Sequence, residues 1–313
     1  MKIVWMLSDG FGYLSNQLVE GFHLLSKQED IEFLCTHKII HHGAKLEDFE
    51  AVDFEEAADN VSDADLVLFS SDGDSRYREG DFGKLFLDKE LSHKRIFIDG
   101  HDSNAYMTPP HNHLLYIKRE MRYPEACSMV YSNVRSMTFG VYQFLIDSLI
   151  EQDDWDNREY DIAFVAFGGS NLMRGHCEIT LRDVDDLNVF VEVDEGGQPL
   201  GMDEYQDVMR KTKIGISILG SGVDTLRFWE TMAYGAVVCS NEIGRSMYVR
   251  DLPEPHRHAL YFNSWSEMMG LSRLLIEDKR RWLTMRQSTN ELVKRHSTIN
   301  RARQLIELSA ELI

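Results

Sequence analysis

The strongest constraint in this sequence is a repeated pattern of short apolar runs, each followed by a helix-length segment. In the first half of the chain the runs lie at residues 3–7, 31–35, 65–69 and 95–98. Runs this short and this apolar are typical of strands that are buried on both faces. Helix-length segments between them imply crossover connections, so the pattern predicts a parallel sheet.

The same pattern starts again after residues 151–160, a charged segment that we interpret as a linker. The second set of apolar runs lies at residues 162–167, 188–193, 214–218, 236–240 and 259–262. The sequence therefore predicts an α/β protein with two Rossmann-like domains, at residues 1–155 and 156–313. Ligands of such sheets bind beyond the carboxyl ends of the strands, so we expect a site where the two domains face each other across a cleft.

Charge and composition argue against several classes of function. The formal net charge is −19, which repels nucleic-acid phosphates and anionic lipid. No apolar run approaches the roughly 20 residues that a membrane-spanning helix needs, and the N-terminus lacks the features of a secretory signal. The cysteines are far apart in the chain and are expected to be reduced core thiols, so a cytoplasmic protein is predicted. They are Cys35, Cys127, Cys177 and Cys239.

The most informative stretch is residues 214–240, where a glycine-rich turn separates a strand from a helix. Asp224 is predicted to cap that helix, and Gly235 is predicted to end it. Arg227 and Glu230 share one side of the helix with Asp224. In that position Glu230 can accept two hydrogen bonds from a ribose diol, while the free N–H groups of the helix start suit phosphate oxygens. The alternative is that Arg227 and Glu230 form a surface ion pair.

The run from Asp224 to Glu230, Asp-Thr-Leu-Arg-Phe-Trp-Glu, resembles the nucleotide-sugar signature of group 1 glycosyltransferases, in their spore-maturation-type branch. Further stretches that resemble this branch lie at residues 98–102, 117–120, 161–164 and 296–302. The resemblance implies a GT-B fold with donor contacts mostly in the second domain. It also implies a last helix, over residues 298–312, that packs back on the first domain.

Carried over residue by residue, the resemblance implies a site for a nucleoside diphosphate sugar, with a UDP-sugar as the expected co-substrate. Glu230 would hold the donor ribose, and Arg174 would face the diphosphate. A positioned guanidinium and helix-start amides stabilise a departing diphosphate without a metal, so neither metal nor cofactor is expected. The predicted donor-binding residues are Gly168, Gly169, Arg174, Gly222, Asp224, Thr225, Arg227 and Glu230.

The sequence departs from the family pattern at one position. Many retaining members carry a second glutamate eight residues before the ribose-binding one, where this chain has Gly222. The choice between a retaining and an inverting reaction is therefore left open.

The first domain is expected to hold the acceptor. The loop after the first strand contains Asp9, Gly10, Phe11 and Gly12, and its glycines allow close approach of the backbone. A plain tight turn is the alternative.

A catalytic base for an inverting transfer must be an Asp, Glu or His within hydrogen-bond reach of the acceptor hydroxyl. The candidates are Asp9, His101 and Asp102, of which the last two follow a predicted strand. Lys118 and Arg119 are predicted to bind donor phosphate or an acidic acceptor, with surface charge as the alternative.

The main prediction is a metal-independent transfer of a hexosyl unit to a hydroxyl of a small molecule, a glycan or a protein. Asp72 and Asp74 follow a strand, which is also how GT-A transferases hold a divalent metal. Other readings are a nucleotide-sugar epimerase and a non-catalytic protein that binds nucleotide sugars. A viral-type nucleic-acid base glucosyltransferase is disfavoured by the net charge.

Overall fold

The chain folds into two compact units, each built on its own parallel sheet. Unit 1 contains Met1–Gln143, Arg245–Arg250 and Ser297–Ile313, and unit 2 contains Phe144–Gly244 and Asp251–His296. The computed structural model describes residues 1–7, 12–36, 46, 48–71, 80–102, 105–122, 131–149, 155–194, 200–241, 247–248 and 253–313. None of the helices in these ranges is both long enough and apolar enough to cross a membrane.

The strands, in chain order, are β1 (Lys2–Leu7), β2 (Glu32–Cys35), β3 (Leu66–Ser71), β4 (Arg95–Asp99), β5 (Leu115–Lys118), β6 (Met121–Arg122), β7 (Val134–Ser136), β8 (Tyr160–Phe167), β9 (Val189–Asp194), β10 (Thr212–Ser217), β11 (Val237–Asn241), β12 (Met247–Tyr248) and β13 (Ala259–Phe262). The helices are α1 (Tyr13–Ser26), α2 (Phe54–Asn60), α3 (Gly80–Leu87), α4 (Gln143–Asp147), α5 (Leu172–Arg182), α6 (Met202–Arg210), α7 (Leu226–Ala233), α8 (Trp265–Ile276), α9 (Lys279–Arg295) and α10 (Thr298–Ala310).

The sheet of unit 1 has the order β2-β1-β3-β4-β5-β7, and all its pairs are parallel. Its central strands are buried on both faces, as the continuous apolar runs predict. The four strands predicted in the first half of the chain are present. Strand β5 was not predicted as a strand, because its four residues end in a charged side chain.

The sheet of unit 2 has the order β13-β11-β10-β8-β9 and is also parallel throughout. All five predicted strands are present, with bounds that differ from the prediction by up to two residues. The core includes Trp282 of α9 and the buried thiols of Cys177 and Cys239. The predicted α/β architecture with two Rossmann-like units is confirmed.

In unit 1, helices α1 and α10 pack at very short range. Both Glu20 and Thr298 are buried, and the Thr298 hydroxyl donates to the Glu20 carboxylate over 2.5 Å. Gly21 lies directly against the start of α10. A Cβ atom at Gly21 would lie 2.7 Å from the carbonyl carbon of Thr298 and closer still to its oxygen. This contact is with backbone, which cannot rotate away as a side chain can.

We therefore expect Gly21→Ala to destabilise the protein, because the added methyl group forces α1 and α10 apart. Overpacking of this kind typically costs about 1–3 kcal/mol. Thermal or denaturant unfolding followed by circular dichroism measures the effect. Gly270→Ala in α8 is the matched control, since open space surrounds that position and alanine is the better helix former by up to about 1 kcal/mol. An unchanged melting temperature for Gly21→Ala would show that the contact is not tight.

Candidate functional site

In unit 2, two loops meet at the carboxyl ends of β8 and β10. The Gly168–Ser170 turn follows β8, and Asn171 then caps α5 by accepting a hydrogen bond from Met173 N over 2.9 Å. The amide of Asn171 also donates to the carbonyl of Gly220, in the loop after β10, over 3.2 Å. One side chain thus ties both loops together. Gly168 is partly buried and Gly169 is exposed.

Arg174, in the first turn of α5, points into this edge of the sheet and is buried. Its guanidinium donates to the carbonyls of Phe167 and Ile218 over 2.8 and 3.3 Å. Its Nε atom is buried without a hydrogen-bond partner. Burial, and secondly the charge of Arg227, lower the pKa of Arg174 to about 10. The two guanidiniums therefore lie close enough to repel each other.

Arg227, in the first turn of α7, is partly exposed, and its Nε atom is likewise buried without a partner. Within the described part of the chain, neither Arg174 nor Arg227 forms a salt bridge. Two adjacent cations, neither in a salt bridge with a carboxylate of the described residues, leave a local positive charge in a chain whose net charge is −19. Such a place favours an anionic ligand.

The start of α7 differs from the prediction, because Asp224 does not cap the helix. Thr225 occupies the cap position, and its side chain makes no capping hydrogen bond. The buried carboxylate of Asp224 instead accepts from Nε1 of Trp229 over 2.9 Å. The Thr225 hydroxyl lies 3.1 Å from that of Ser217. The cap residue therefore offers no side-chain acceptor to the first turn of α7, although Phe228 N donates to the carbonyl of Thr225 over 3.1 Å.

The other predicted features of this segment are present. Gly222 is buried, and its carbonyl accepts from Gly220 N over 3.0 Å, which closes the glycine-rich turn. Gly235 ends the helix with φ of +79°, a left-handed conformation that favours glycine. The glycine-rich turn and the glycine at the end of the helix are thus present as predicted, whereas the predicted cap by Asp224 is not.

Glu230 lies one turn into α7 and is partly exposed, but protein surrounds most of its carboxylate. Burial raises the pKa of Glu230 to about 7, while the charge of Arg227 and the hydroxyl of Tyr205 act in the opposite direction. The carboxylate thus belongs to the same group of side chains as Arg227. The alternative prediction of a surface ion pair between Arg227 and Glu230 does not hold, because no salt bridge joins them among the described residues.

Tyr205, on α6, belongs to this group and was not predicted from the sequence. It is buried, and its hydroxyl has no hydrogen-bond partner among the residues that the structure describes. The only signal in the sequence is its position on the buried face of α6, together with Val208 and Met209. A tyrosine at such a position is indistinguishable from an ordinary core residue.

The predicted catalytic residues of unit 1 are described in part. Asp9, Gly10 and Phe11 lie outside the described residues, as do Asp72 and Asp74. Gly12 is buried at the start of α1, where its carbonyl accepts from the backbone and the side chain of Asn16, both over 2.9 Å.

His101 and Asp102 lie in the turn after β4. His101 is partly buried, and its backbone N–H donates to Asp99 Oδ1 over 3.2 Å. The side chain of Asp102 is 45% exposed and forms an ion pair with Arg119. The structure thus brings His101, Asp102 and Arg119 together in unit 1.

Lys118 and Arg119 do not face solvent, which corrects the prediction that they bind phosphate or lie on the surface. The Lys118 ammonium is fully buried and donates to Asp99 over 3.0 Å. The Arg119 guanidinium donates to the carbonyl of Gly100, pairs with Glu120 over 3.0 Å and stacks on the ring of Phe139. Both cations are therefore committed to internal partners.

Residues 153–307 match the model of the glycosyl transferase-like family (Glyco_trans_1_2). No curated protein sequence matches the chain.

Solved structures share the fold of the chain at low sequence identity. A glycosyltransferase from Rickettsia africae ESF-5 aligns with a TM-score of 0.62 and 10% identity, over 99% of this chain and 98% of that one. Anabaena Alr3699/HepE in complex with UDP-glucose aligns with a TM-score of 0.55 and 11% identity, over 99% of this chain and 100% of that one. T4 phage BGT in complex with its UDP-glucose substrate aligns with a TM-score of 0.51 and 14% identity, over 99% of this chain and 98% of that one.

These likenesses show the architecture, which is that of GT-B glycosyltransferases with two Rossmann-like domains. The family match adds sequence evidence for the half of the chain that contains Arg174, Arg227 and Glu230. The chain thus carries a glycosyl transferase-like sequence, at residues 153–307, on a GT-B fold.

Proposed function

We propose that this protein is a glycosyltransferase that moves a sugar, as a hexosyl unit, from a nucleoside diphosphate sugar to a hydroxyl acceptor. The observation that carries the proposal is the pair of guanidiniums of Arg174 and Arg227. They lie at the carboxyl edge of the unit 2 sheet with buried, unpartnered N–H groups, and α7 begins there without a side-chain cap.

A diphosphate fits these features because it satisfies all of them at once. Its oxygens neutralise two adjacent cations, accept from the unpartnered guanidinium nitrogens and accept from the free N–H groups of a helix start. The glycines at 168, 169 and 222 allow the ligand to approach the backbone closely. We propose Thr225 as a further phosphate contact through its hydroxyl or backbone amide.

Glu230 is proposed to bind the ribose of the donor. An ionised carboxylate accepts from both hydroxyls of a diol, and such charge-assisted bonds are stronger than neutral ones. The same carboxylate placed against the diphosphate would be repelled. The positive charge of Arg227, which acts on both Arg174 and Glu230, offsets this repulsion.

The reaction needs two further contributions from the protein. The bond between the sugar carbon and the diphosphate oxygen breaks with its electron pair on the diphosphate, and Arg174 and Arg227 stabilise that charge. The acceptor hydroxyl must lose a proton, and we propose that the base is among Asp9, His101 and Asp102 of unit 1. Since the guanidiniums supply the positive charge that a metal would bring, we propose that transfer is metal-independent.

UDP-glucose is the first donor to test, since Anabaena Alr3699/HepE and T4 phage BGT were solved with it and share this fold. The run from Asp224 to Glu230 supports placement in the spore-maturation-type branch. The buried thiols of Cys177 and Cys239 agree with the proposed cytoplasmic location. Release of glucose or transfer to an acceptor supports the proposal, whereas conversion of UDP-glucose to another nucleotide sugar would identify an epimerase.

Glu230→Gln is expected to weaken UDP-glucose binding about 10- to 100-fold at pH 8. The change keeps the shape of the side chain but removes charged hydrogen bonds, each typically worth about 1.5–3 kcal/mol. Isothermal titration calorimetry measures the loss. Glu204→Gln makes the same change on the exposed face of α6 and should leave the affinity unaltered. Wild-type affinity in Glu230→Gln would remove Glu230 from the donor site.

Binding of UDP-glucose is also expected to depend on pH. Because the pKa of Glu230 is raised to about 7 in the folded protein, the carboxylate is mostly protonated at pH 6 and mostly ionised at pH 8. Only the ionised form accepts from both ribose hydroxyls, so affinity should rise about tenfold across this range.

The choice of ligand matters for this experiment. UDP-glucose carries both phosphates as esters, so it lacks the monoester ionisation near pH 6 that free UDP has. Glu230→Gln should flatten the pH profile. A profile that keeps its slope in that variant would assign the titration to another group.

A further inference from the structure

Tyr205 is held rigidly beside the proposed ribose-binding carboxylate. Its ring packs edge-on against Tyr234, with centroids 5.9 Å apart and an angle of 85° between the planes. The guanidinium of Arg227 lies 5.9 Å from the centre of the same ring. These contacts fix the direction in which the hydroxyl points, although the hydroxyl itself makes no hydrogen bond.

Two buried hydroxyls lie in this group without partners, those of Tyr205 and Thr231. Thr231 is fully buried on α7, one residue after Glu230. A buried polar group without a hydrogen bond typically costs about 1–3 kcal/mol. Both hydroxyls are therefore available to form a hydrogen bond within this group.

The contacts of the Tyr205 ring place it over the face of α7 that carries Glu230. Arg227 and Tyr234, which both contact the ring, lie three residues before and four residues after Glu230. Residues at these spacings share one face of a helix. Burial raises the pKa of Glu230, and the hydroxyl of Tyr205 acts in the opposite direction, as a donor to the carboxylate does.

We propose that Tyr205 is a positioning residue for the donor, whose hydroxyl accepts from Thr231 and donates to one carboxylate oxygen of Glu230 once that carboxylate is ionised, with or without ligand. The other oxygen is thereby presented to the ribose hydroxyls in a fixed orientation. This inference rests on the proposed function, because it assigns a role in holding the nucleoside of the donor.

Other charged groups near this cluster are accounted for. Tyr234, at the end of α7, is affected by Glu230 and by Arg210, which lies 5.8 Å from its ring. On the side of α7 that faces α9, Arg286 lies beside Gly235, and His296 stacks on Trp229 at 4.7 Å. The groups that act on the pKa of Glu230 are Arg227 and Tyr205.

Tyr205→Phe tests the proposal, since it keeps the ring and removes only the hydroxyl. The midpoint of the pH profile of UDP-glucose affinity should rise by about one pH unit, as expected for loss of one hydrogen bond to a carboxylate. Affinity at pH 9, where Glu230 is ionised in both proteins, should stay within about threefold of wild type. Thr231→Val should move the midpoint in the same direction by a smaller amount.

Tyr261→Phe is the matched control. Its ring also packs on α7, through Phe228, but its hydroxyl donates to the carbonyl of Pro253. It should leave the midpoint unchanged. A pH profile whose midpoint is the same in Tyr205→Phe as in wild type would overturn the positioning role.

A second measurement separates this inference from the proposed function. In protein with 13C-labelled glutamate side chains, the carboxyl resonance of Glu230 is assigned by its disappearance in Glu230→Gln. Its titration should shift to higher pH in Tyr205→Phe even without ligand. Absence of UDP-glucose binding in wild type would contradict the proposed donor, whereas an unshifted Glu230 titration would contradict the hydrogen bond from Tyr205.

Discussion

The site depends on one property of parallel sheets, namely that every strand ends, and every following helix begins, at the same edge. In unit 2 this places the turn after β8, the loop after β10 and the starts of α5 and α7 beside one another. The edge collects free N–H groups, and two arginines from different helices reach it. Their mutual repulsion is tolerated because carbonyls of Phe167 and Ile218 partly solvate the guanidinium of Arg174. This edge therefore carries the local positive charge that the proposed diphosphate site requires.

Much of this architecture could be predicted from the sequence. Buried parallel strands produce uninterrupted apolar runs, and the nine predicted runs all correspond to strands. Strand β5 was not predicted because its pairing with β4 sets Lys118 opposite Asp99. This pairing allows a charged side chain at a position where the pattern requires an apolar one. The chemistry of the Arg174, Arg227 and Glu230 positions was predicted through a family resemblance, and the structure places all three in one unit.

The sequence did not predict the hydrogen-bond and ion-pair partners of several side chains, although it predicted most of the strands. Asp224 has the composition of a helix cap, but the indole of Trp229 lies within reach and takes its carboxylate. Lys118 and Arg119 have the composition of a phosphate site, but Asp99, Glu120 and the ring of Phe139 surround them. In each case tertiary packing determines which residue lies beside the charged group. The local sequence therefore cannot show whether that group is paired inside the protein or can bind a ligand. Tyr205 is the opposite case. Its sequence position is that of a core residue, but its hydroxyl has no hydrogen-bond partner among the described residues.

The close crossing of α1 and α10 has a consequence for how the protein can be divided. Because Ser297–Ile313 belongs to unit 1, the chain comes back to this unit at its last helix, as it also does briefly at Arg245–Arg250. A fragment that ends before α10 would lack the helix that covers Gly21 and Glu20, and it would expose their buried surface. A stand-alone version of the first unit therefore has to join the last helix to an upstream segment, because the sequence of unit 2 lies between the parts of unit 1.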